Sequence, residues 1–317
     1  MPSLPPEGAI TGLVVRAHGL WYEVLLDDAD DHVVLATIRG GLKRKHRRTD
    51  IVAVGDRVAV SLLPDNEAVI EWVQPRVRSL VRTARNTRDT DQVILANLDQ
   101  VMFVFASHDP EPHPRMLDRF LILAELQQLP ARIAIGKMDL DDRPDSPSAR
   151  ERFRVYERVY PVSYVSAKTG EGIEDLREIL HGKITAVAGP SGVGKSSLLN
   201  ALDPEGRRDV AEISGATGKG RHTTIGSRLY HIDDATFVAD TPGMRSLAMH
   251  AIDPERLPEC YPELRPYLGE CFYQDCTHIH EPGCAVLAAV EAGDIARERY
   301  ESYASLRRGD ELAEGGW

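Results

Sequence analysis

The chain has 317 residues, 42% hydrophobic and 27% charged, the composition of an ordinary globular protein long enough for two or three domains. A net charge of −11 excludes a generic polycationic nucleic-acid coat, and no apolar run reaches the roughly 18 residues that cross a bilayer. The N-terminal MPSLPPEGAI has neither a basic n-region nor an apolar h-region, so a cytoplasmic protein without a membrane anchor is expected.

Residues 10–80 alternate apolar and polar in short runs. TGLVVRAHGLWYEVLL has a turn at His18-Gly19, and HVVLATIRG, DRVAVSLL and AVIEWVQP follow between Gly, Asp and Pro punctuation. About five strands in about seventy residues predict a small β-barrel, and the pattern leaves an OB-like and an SH3-like barrel both open. Within it, KRKHRR sets Lys43, Arg44, Lys45, Arg47 and Arg48 in one run. Such a run is either a solvated loop or a contact to nucleic-acid phosphates that gains affinity by counterion release.

The basic segment VRSLVRTARNTRDTDQ, 77–92, has no clear period and reads as a linker. From residue 98 the texture becomes strand–helix alternation. LDQVMFVFAS, ARIAIGK, VYPVSYVSA and KITAVAG read as strands, with PRMLDRFLILAELQQL, EGIEDLREIL and KSSLLNAL as helices. RPDSPSAR reads as a loop, and RLYHID with ATFVAD as a strand pair. This predicts a mostly parallel α/β sheet. After about residue 248 the chain is Pro-rich, then Cys/His-rich, then helical, a third unit. The domains are accordingly set at 1–85, 86–247 and 248–317.

Three motifs carry chemistry in the middle domain. Gly189-Pro190-Ser191-Gly192-Val193-Gly194-Lys195-Ser196 fits G-x-x-x-x-G-K-[ST] in full, between a β-rich run and a helix that begins with Lys195, Ser196 and Ser197. Its backbone N–H groups would cradle phosphates, Lys195 would reach the β- and γ-phosphates, and Ser196 would hold Mg²⁺. Asp240-Thr241-Pro242-Gly243 ends a strand; Asp240 suits Mg²⁺, and the Gly243 N–H can approach a γ-phosphate. Between them, GATGKGRHTTIG offers Thr224, with Thr223 as the alternative, to complete the Mg²⁺ shell.

The third motif is a base reader. In AIGKMDL, the run Gly136-Lys137-Met138-Asp139 places a carboxylate at a strand end for guanine N1–H and N2–H₂, and the Lys137 stem can cover the base. In VSAKTGEG, Ser166-Ala167-Lys168 places the Ala167 N–H where it can donate to O6. Both precede the phosphate loop, whereas the usual order in GTPases is the reverse.

In the third unit, Cys271-x4-Cys276-x-His278-x5-Cys284 is a Cys₃His set suited to one structural Zn²⁺, with Cys260 and His280 left over. Without an export signal, metal is a better reading than disulfides.

Together these residues resemble the RsgA family of circularly permuted, ribosome-small-subunit-dependent GTPases. The resemblance covers nearly the whole chain: the barrel, ANLDQV, the early base motifs, GPSGVGKSSLLN, GRHTT, DTPG and the Cys/His motif. It implies a multidomain α/β protein with an OB-like N-terminal barrel, a permuted P-loop GTPase domain and a helical zinc-binding domain. It also implies a monomeric GTP hydrolase in late maturation of the small ribosomal subunit, stimulated by that subunit, bound to its rRNA and released after hydrolysis. A GTP-gated rRNA-binding module with incidental hydrolysis is the alternative, and an ATPase or small-molecule kinase a more distant one. Two residues bear on mechanism. Gly136 stands where the family usually has Asn or Thr, which predicts a looser guanine reader. Met244 follows DTPG where other GTPases orient water with glutamine; a hydrophobic residue there is usual for the family, and His222 in GRHTT is a candidate for that task.

Overall fold

The computed structural model describes residues 4–27, 32–40, 51–83, 91–142, 147–203, 228–233, 235–240 and 253–309. The strands β1 (Ile10–His18), β2 (Trp21–Leu26), β3 (Val33–Ile38), β4 (Arg57–Leu62) and β5 (Glu67–Val73) form the barrel. Its order is β1-β2-β3-β5-β4, closed by β1 against β4, and β3 runs parallel to β5. This Greek-key closure makes it an OB-like barrel and removes the SH3-like alternative. Alternate residues turn inward, so Val14, Val24, Val34, Val58, Val60 and Ile70 fill its core.

The segment expected as a linker is instead part of the fold. β6 (Ser79–Thr83) and β7 (Asp91–Ala96) pair as an antiparallel hairpin. Leu80 and Leu95 are fully buried in one core with Leu13 and Val54 of the barrel and Val101 and Phe103 beyond it. Two leucines, too few to give a period among arginines, are enough to seat the hairpin between the domains. The barrel turn also comes very close to it: a Cβ on Gly55, at φ +90°, would stand 2.1 Å from the Ala96 carbonyl.

Among the described residues the second domain is a six-stranded sheet ordered β10-β9-β8-β11-β13-β12, and the pair Arg16↔Arg228 joins it to β1 of the barrel. The strands are β8 (Gln100–Ala106), β9 (Ala131–Gly136), β10 (Val162–Tyr164), β11 (Ile184–Ala188), β12 (Arg228–Asp233) and β13 (Thr236–Asp240). All neighbours are parallel except the β12–β13 pair. β8 is buried along its whole length, as expected of a strand covered on both faces. On one face Phe103 and Phe105 meet Phe120 of α1 (Pro114–Leu126) at ring separations of 5.2 and 6.2 Å. On the other, Met102 and Val104 share a core with Leu176 of α3 (Ile173–Leu180) and Leu198 of α4 (Lys195–Leu202).

One helix, α2 (Ala149–Glu157), follows the segment read as a loop. Its sequence, ARERFRVYE, is mostly charged, yet Ser148 and Glu151 form a capping box, and Phe153 and Tyr156 pack inward.

The third unit carries two single 3₁₀ turns, Pro258–Cys260 and Arg265–Tyr267, then α5 (Ala285–Ala292) and α6 (Arg297–Arg308). Tyr261, Leu264, Val286, Ile295 and Tyr303 form its core, which also takes Ile122 of α1. Beside that contact lies a buried ion network. Arg299 is 2% exposed; it pairs with Asp118 of α1 and with Glu263 at 2.6 Å, between the rings of Tyr156 and Tyr261. Tyr156 donates to Asp118 at 2.9 Å. Burial works against the Arg299 charge, but Asp118 and Glu263 outweigh it and hold the guanidinium protonated.

Candidate functional site

The loops that follow β8, β9, β10 and β11 emerge side by side, because those strands are parallel neighbours. Ligands in open α/β sheets bind at this carboxyl edge. The phosphate loop leaves β11 at Gly189 and enters α4 at Lys195. Gly189 is required by close approach: at φ +153°, a Cβ would lie 2.1 Å from the Val104 carbonyl. Val193 is buried and pins the loop to the core, while Ser191, Gly192, Ser196 and Ser197 are exposed. Lys195 Nζ donates to the carbonyls of Gly189 at 2.9 Å and Pro190 at 2.7 Å, so the ammonium already lies across the loop.

The base-reading candidates lie on the same edge. Lys137 follows β9 in the left-handed region, at φ 58°. Its stem runs over the phosphate loop, for a Cβ on Gly194 would meet Lys137 Cε at 3.6 Å, and its Nζ donates to the Asp109 carbonyl. Met138 packs on the core and donates its N–H to the Val165 carbonyl at 3.2 Å. Asp139 accepts from Ser166 Oγ at 2.7 Å and lies 3.4 Å from Lys168 Nζ. The Ser166 hydroxyl, with a smaller contribution from Lys168, holds the Asp139 carboxyl below the usual aspartate range, so it is an anion at neutral pH. The loop after β10 is closed by Ser166 N–H to the Glu171 carbonyl, 2.9 Å, and Gly170 N–H to the Ser166 carbonyl, 2.9 Å. The Ala167 N–H takes no part in these bonds. A carboxylate, a backbone donor, a lysine stem and a phosphate cradle thus share one edge, a constellation able to hold a guanine nucleotide.

Two residues at this edge carry no sequence motif. Ser107 and Asp109 follow β8, which lies between β9 and β11. Ser107 is buried beside the base loop; the strand order alone points to it. Asp240 is the last residue of β13, backbone-paired with Val187 of β11; its side chain lies outside the described residues. So do His222, Thr223, Thr224, Gly243, Met244 and the run Lys43, Arg44, Lys45, Arg47, Arg48.

The Cys/His candidates come together in the third unit. One donor atom each from Cys271, Cys276, His278 and Cys284 lies within 4.8 Å of all the others. Cys271 Sγ and Cys284 Sγ are each 3.5 Å from His278 Nδ1 and 3.9 Å from one another. Four ligands on one tetrahedral ion with zinc bond lengths stand about 3.8 Å apart for sulfur pairs and about 3.5 Å for sulfur and nitrogen. The set therefore fits one tetrahedral metal ion. The loop is braced from outside the cluster. The Ala285 N–H donates to Cys271 Sγ at 3.3 Å and the Leu287 N–H to Cys284 Sγ at 3.5 Å. Glu281 accepts from the N–H groups of Thr277, Ile279 and His280, and Tyr303 donates to the Thr277 carbonyl at 2.7 Å. Cys260 stands apart from the cluster, buried, donating to the Arg256 carbonyl at 3.3 Å.

Base motifs on the strands ahead of the phosphate-loop strand, all on one sheet edge, define a circularly permuted GTPase. Comparison with known proteins agrees. Residues 73–250 match the model of the RsgA GTPase family. A small ribosomal subunit biogenesis GTPase RsgA from Gemmatimonas aurantiaca is 44% identical over 306 residues, covering 95% of this chain and 97% of its own. Its counterpart from Chlorobaculum tepidum is 40% identical over 314 residues, covering 96% and 99%. Among solved structures, YjeQ from Thermotoga maritima superposes with a TM-score of 0.77 at 36% identity, over 97% of this chain and 100% of that one. YloQ, described as a circularly permuted GTPase, gives 0.73 at 30% identity, over 98% of each. The chain belongs to the RsgA GTPase family and is a GTP hydrolase.

Proposed function

We propose that this GTPase acts in late assembly of the small ribosomal subunit, that the subunit stimulates its hydrolysis, and that hydrolysis releases it. The observation that carries the reading is the meeting of Asp139, Ala167 and the 189–196 loop on one edge in permuted order, in a chain whose relatives are named for biogenesis of that subunit.

In this reading Asp139 accepts from guanine N1–H and N2–H₂, and the Ala167 N–H donates to O6. Ser166 and Lys168 keep Asp139 ionised and aimed. Gly189, Pro190, Ser191, Gly192, Val193 and Gly194 wrap the phosphates, and Lys195 exchanges its carbonyl partners for phosphate oxygens. Ser196, Thr224 and Asp240 hold Mg²⁺, which neutralises phosphate charge when bound. Ser197 lies on the exposed first turn of α4, beside the phosphates. The Gly243 N–H meets the γ-phosphate, and His222 serves the attacking water. Catalysis here is positioning and electrostatics, so a partner that sets Thr224 and Gly243 against the nucleotide accelerates it.

The metal at Cys271, Cys276, His278 and Cys284 is zinc in this reading, with a structural role because all four positions are filled by protein. The run at Lys43–Arg48 contacts rRNA phosphates. The protein acts as a cytoplasmic monomer.

The test is multiple-turnover GTP hydrolysis with and without purified small subunits, with ATP as competitor. Acceleration by the subunit and indifference to ATP are expected. Equal rates would reduce the protein to a nucleotide-gated binding module, and ATP preference would remove the guanine assignment. Metal analysis of the purified chain, expected to give one zinc, checks the metal.

A further inference from the structure

Gly136 leaves the base loop without the side-chain brace expected at its first position, yet the loop is not slack. A glycine is not demanded there by conformation, since Gly136 is absent from the positive-φ residues. Nor is it demanded by space: a Cβ would meet the Val193 and Phe105 carbonyls at 3.6 and 3.7 Å, ordinary contact. The loop is instead held from the neighbouring strand. The Ser107 N–H donates to the Gly136 carbonyl at 2.8 Å, and Ser107 Oγ donates to the Lys137 carbonyl at 2.6 Å. Ser107 is fully buried, so its hydroxyl has no competing water. These two bonds fix the peptide on each side of Lys137, the residue in the left-handed conformation that turns the chain from β9 towards Asp139.

We infer that Ser107 is the positioning residue of the base-reading loop, supplying from β8 the brace that residue 136 does not supply. The inference rests on the guanine reading of this site. It replaces the expectation of a loose reader with that of one held by a different strand. Ser107 touches no base; it acts by fixing where the Asp139 carboxylate and the Lys137 stem stand. Losing its hydroxyl leaves the Lys137 carbonyl held only by the Leu140 N–H, at 2.9 Å, and unties the loop from β8, a loss equivalent to about tenfold in affinity.

The test is binding of GDP, IDP and ADP to the full chain by calorimetry. IDP lacks the exocyclic amine that Asp139 reads. Wild type is expected to prefer GDP over both. Ser107→Ala is expected to weaken GDP about tenfold and IDP less, narrowing the GDP/IDP ratio, a change that a general loss of stability would not produce. Ser107→Cys fills the same space with a weak donor and is expected to behave like Ser107→Ala, which separates the hydrogen bond from the packing. Adding Gly136→Asn, which puts an amide side chain on a Cβ 3.6 Å from the Val193 carbonyl, is expected to restore the ratio in the Ser107→Ala chain. Wild-type GDP affinity and GDP/IDP ratio in Ser107→Ala would overturn the inference. A wild-type chain that binds ADP as well as GDP would instead overturn the guanine reading beneath it.

Discussion

The metal loop and the nucleotide site are built in opposite ways. The four metal donors lie between Cys271 and Cys284, in one loop, with a small core behind them that borrows Ile122 from α1. The candidate nucleotide site gathers Ser107, Lys137, Asp139, Ser166 and Lys195 from the ends of four parallel strands. A local site is bound up with the folding of the piece that carries it. A dispersed site is held by the sheet, so changing one residue costs function more than fold. It also survives reordering of the chain, because permutation alters which loops are covalently joined and not which strands are neighbours.

The largest expected effect follows from the local site. Structural zinc contributes on the order of 10 kcal/mol to folding in small domains. Cys276→Ala, or chelation, is expected to release the metal and expose residues 253–309 to protease, while GDP binding at the sheet edge persists. Metal analysis with limited proteolysis checks both halves; loss of GDP binding would erase the contrast. Metal uptake also has a pH sign. Burial pushes the Cys276 thiol up to about 12, so in the metal-free chain it is protonated at neutral pH and must release that proton. Affinity is expected to fall as pH falls.

Next is the seam between the two regions. Asp118→Ala leaves the Arg299 guanidinium buried with one carboxylate fewer, and removing one partner of such a pair costs about 3–5 kcal/mol. Denaturant unfolding is expected to show that loss, and Asp118→Asn, which keeps the acceptor, a smaller one. In the dispersed site, Lys195→Ala is expected to lower GTP turnover by about 10²–10³ with an unchanged melting temperature. A fall in both would contradict the claim that this site is separable from the fold.

The smallest effect is a pH window. In the proposed site the ionised form of Asp139 is the one that would read guanine, and the Ser166 hydroxyl keeps its pKa below the usual aspartate range. The GDP/IDP preference is therefore expected to persist as pH falls into that range and to fade only through the lowered pKa. Ser166→Ala should move that fading to higher pH, and calorimetry across acidic pH reads it.

Most of this was legible in the chain. The Cys/His spacing gave the metal set because all four ligands are local. The strand–helix texture gave the sheet, and its order put the base motifs beside the phosphate loop. What escaped is what depends on neighbours distant in sequence. Ser107 is an unremarked serine until β8 is placed between β9 and β11. Arg299 and Asp118 sit on helices far apart in the chain and meet only when α6 packs on α1. The hairpin of β6 and β7 escaped because its arginines hid Leu80 and Leu95, and α2 because its charged face outnumbers its buried residues. The pattern could not choose between barrels, since that choice lies in the β3–β5 and β1–β4 pairings.

The central claim is a GTPase whose turnover answers to the small ribosomal subunit. Its most direct test is the GTP hydrolysis rate of the wild-type chain with increasing small subunits, against Lys195→Ala as the blank. The expected result is slow hydrolysis alone and a saturable, many-fold acceleration by the subunit. The same rate at every subunit concentration would contradict it.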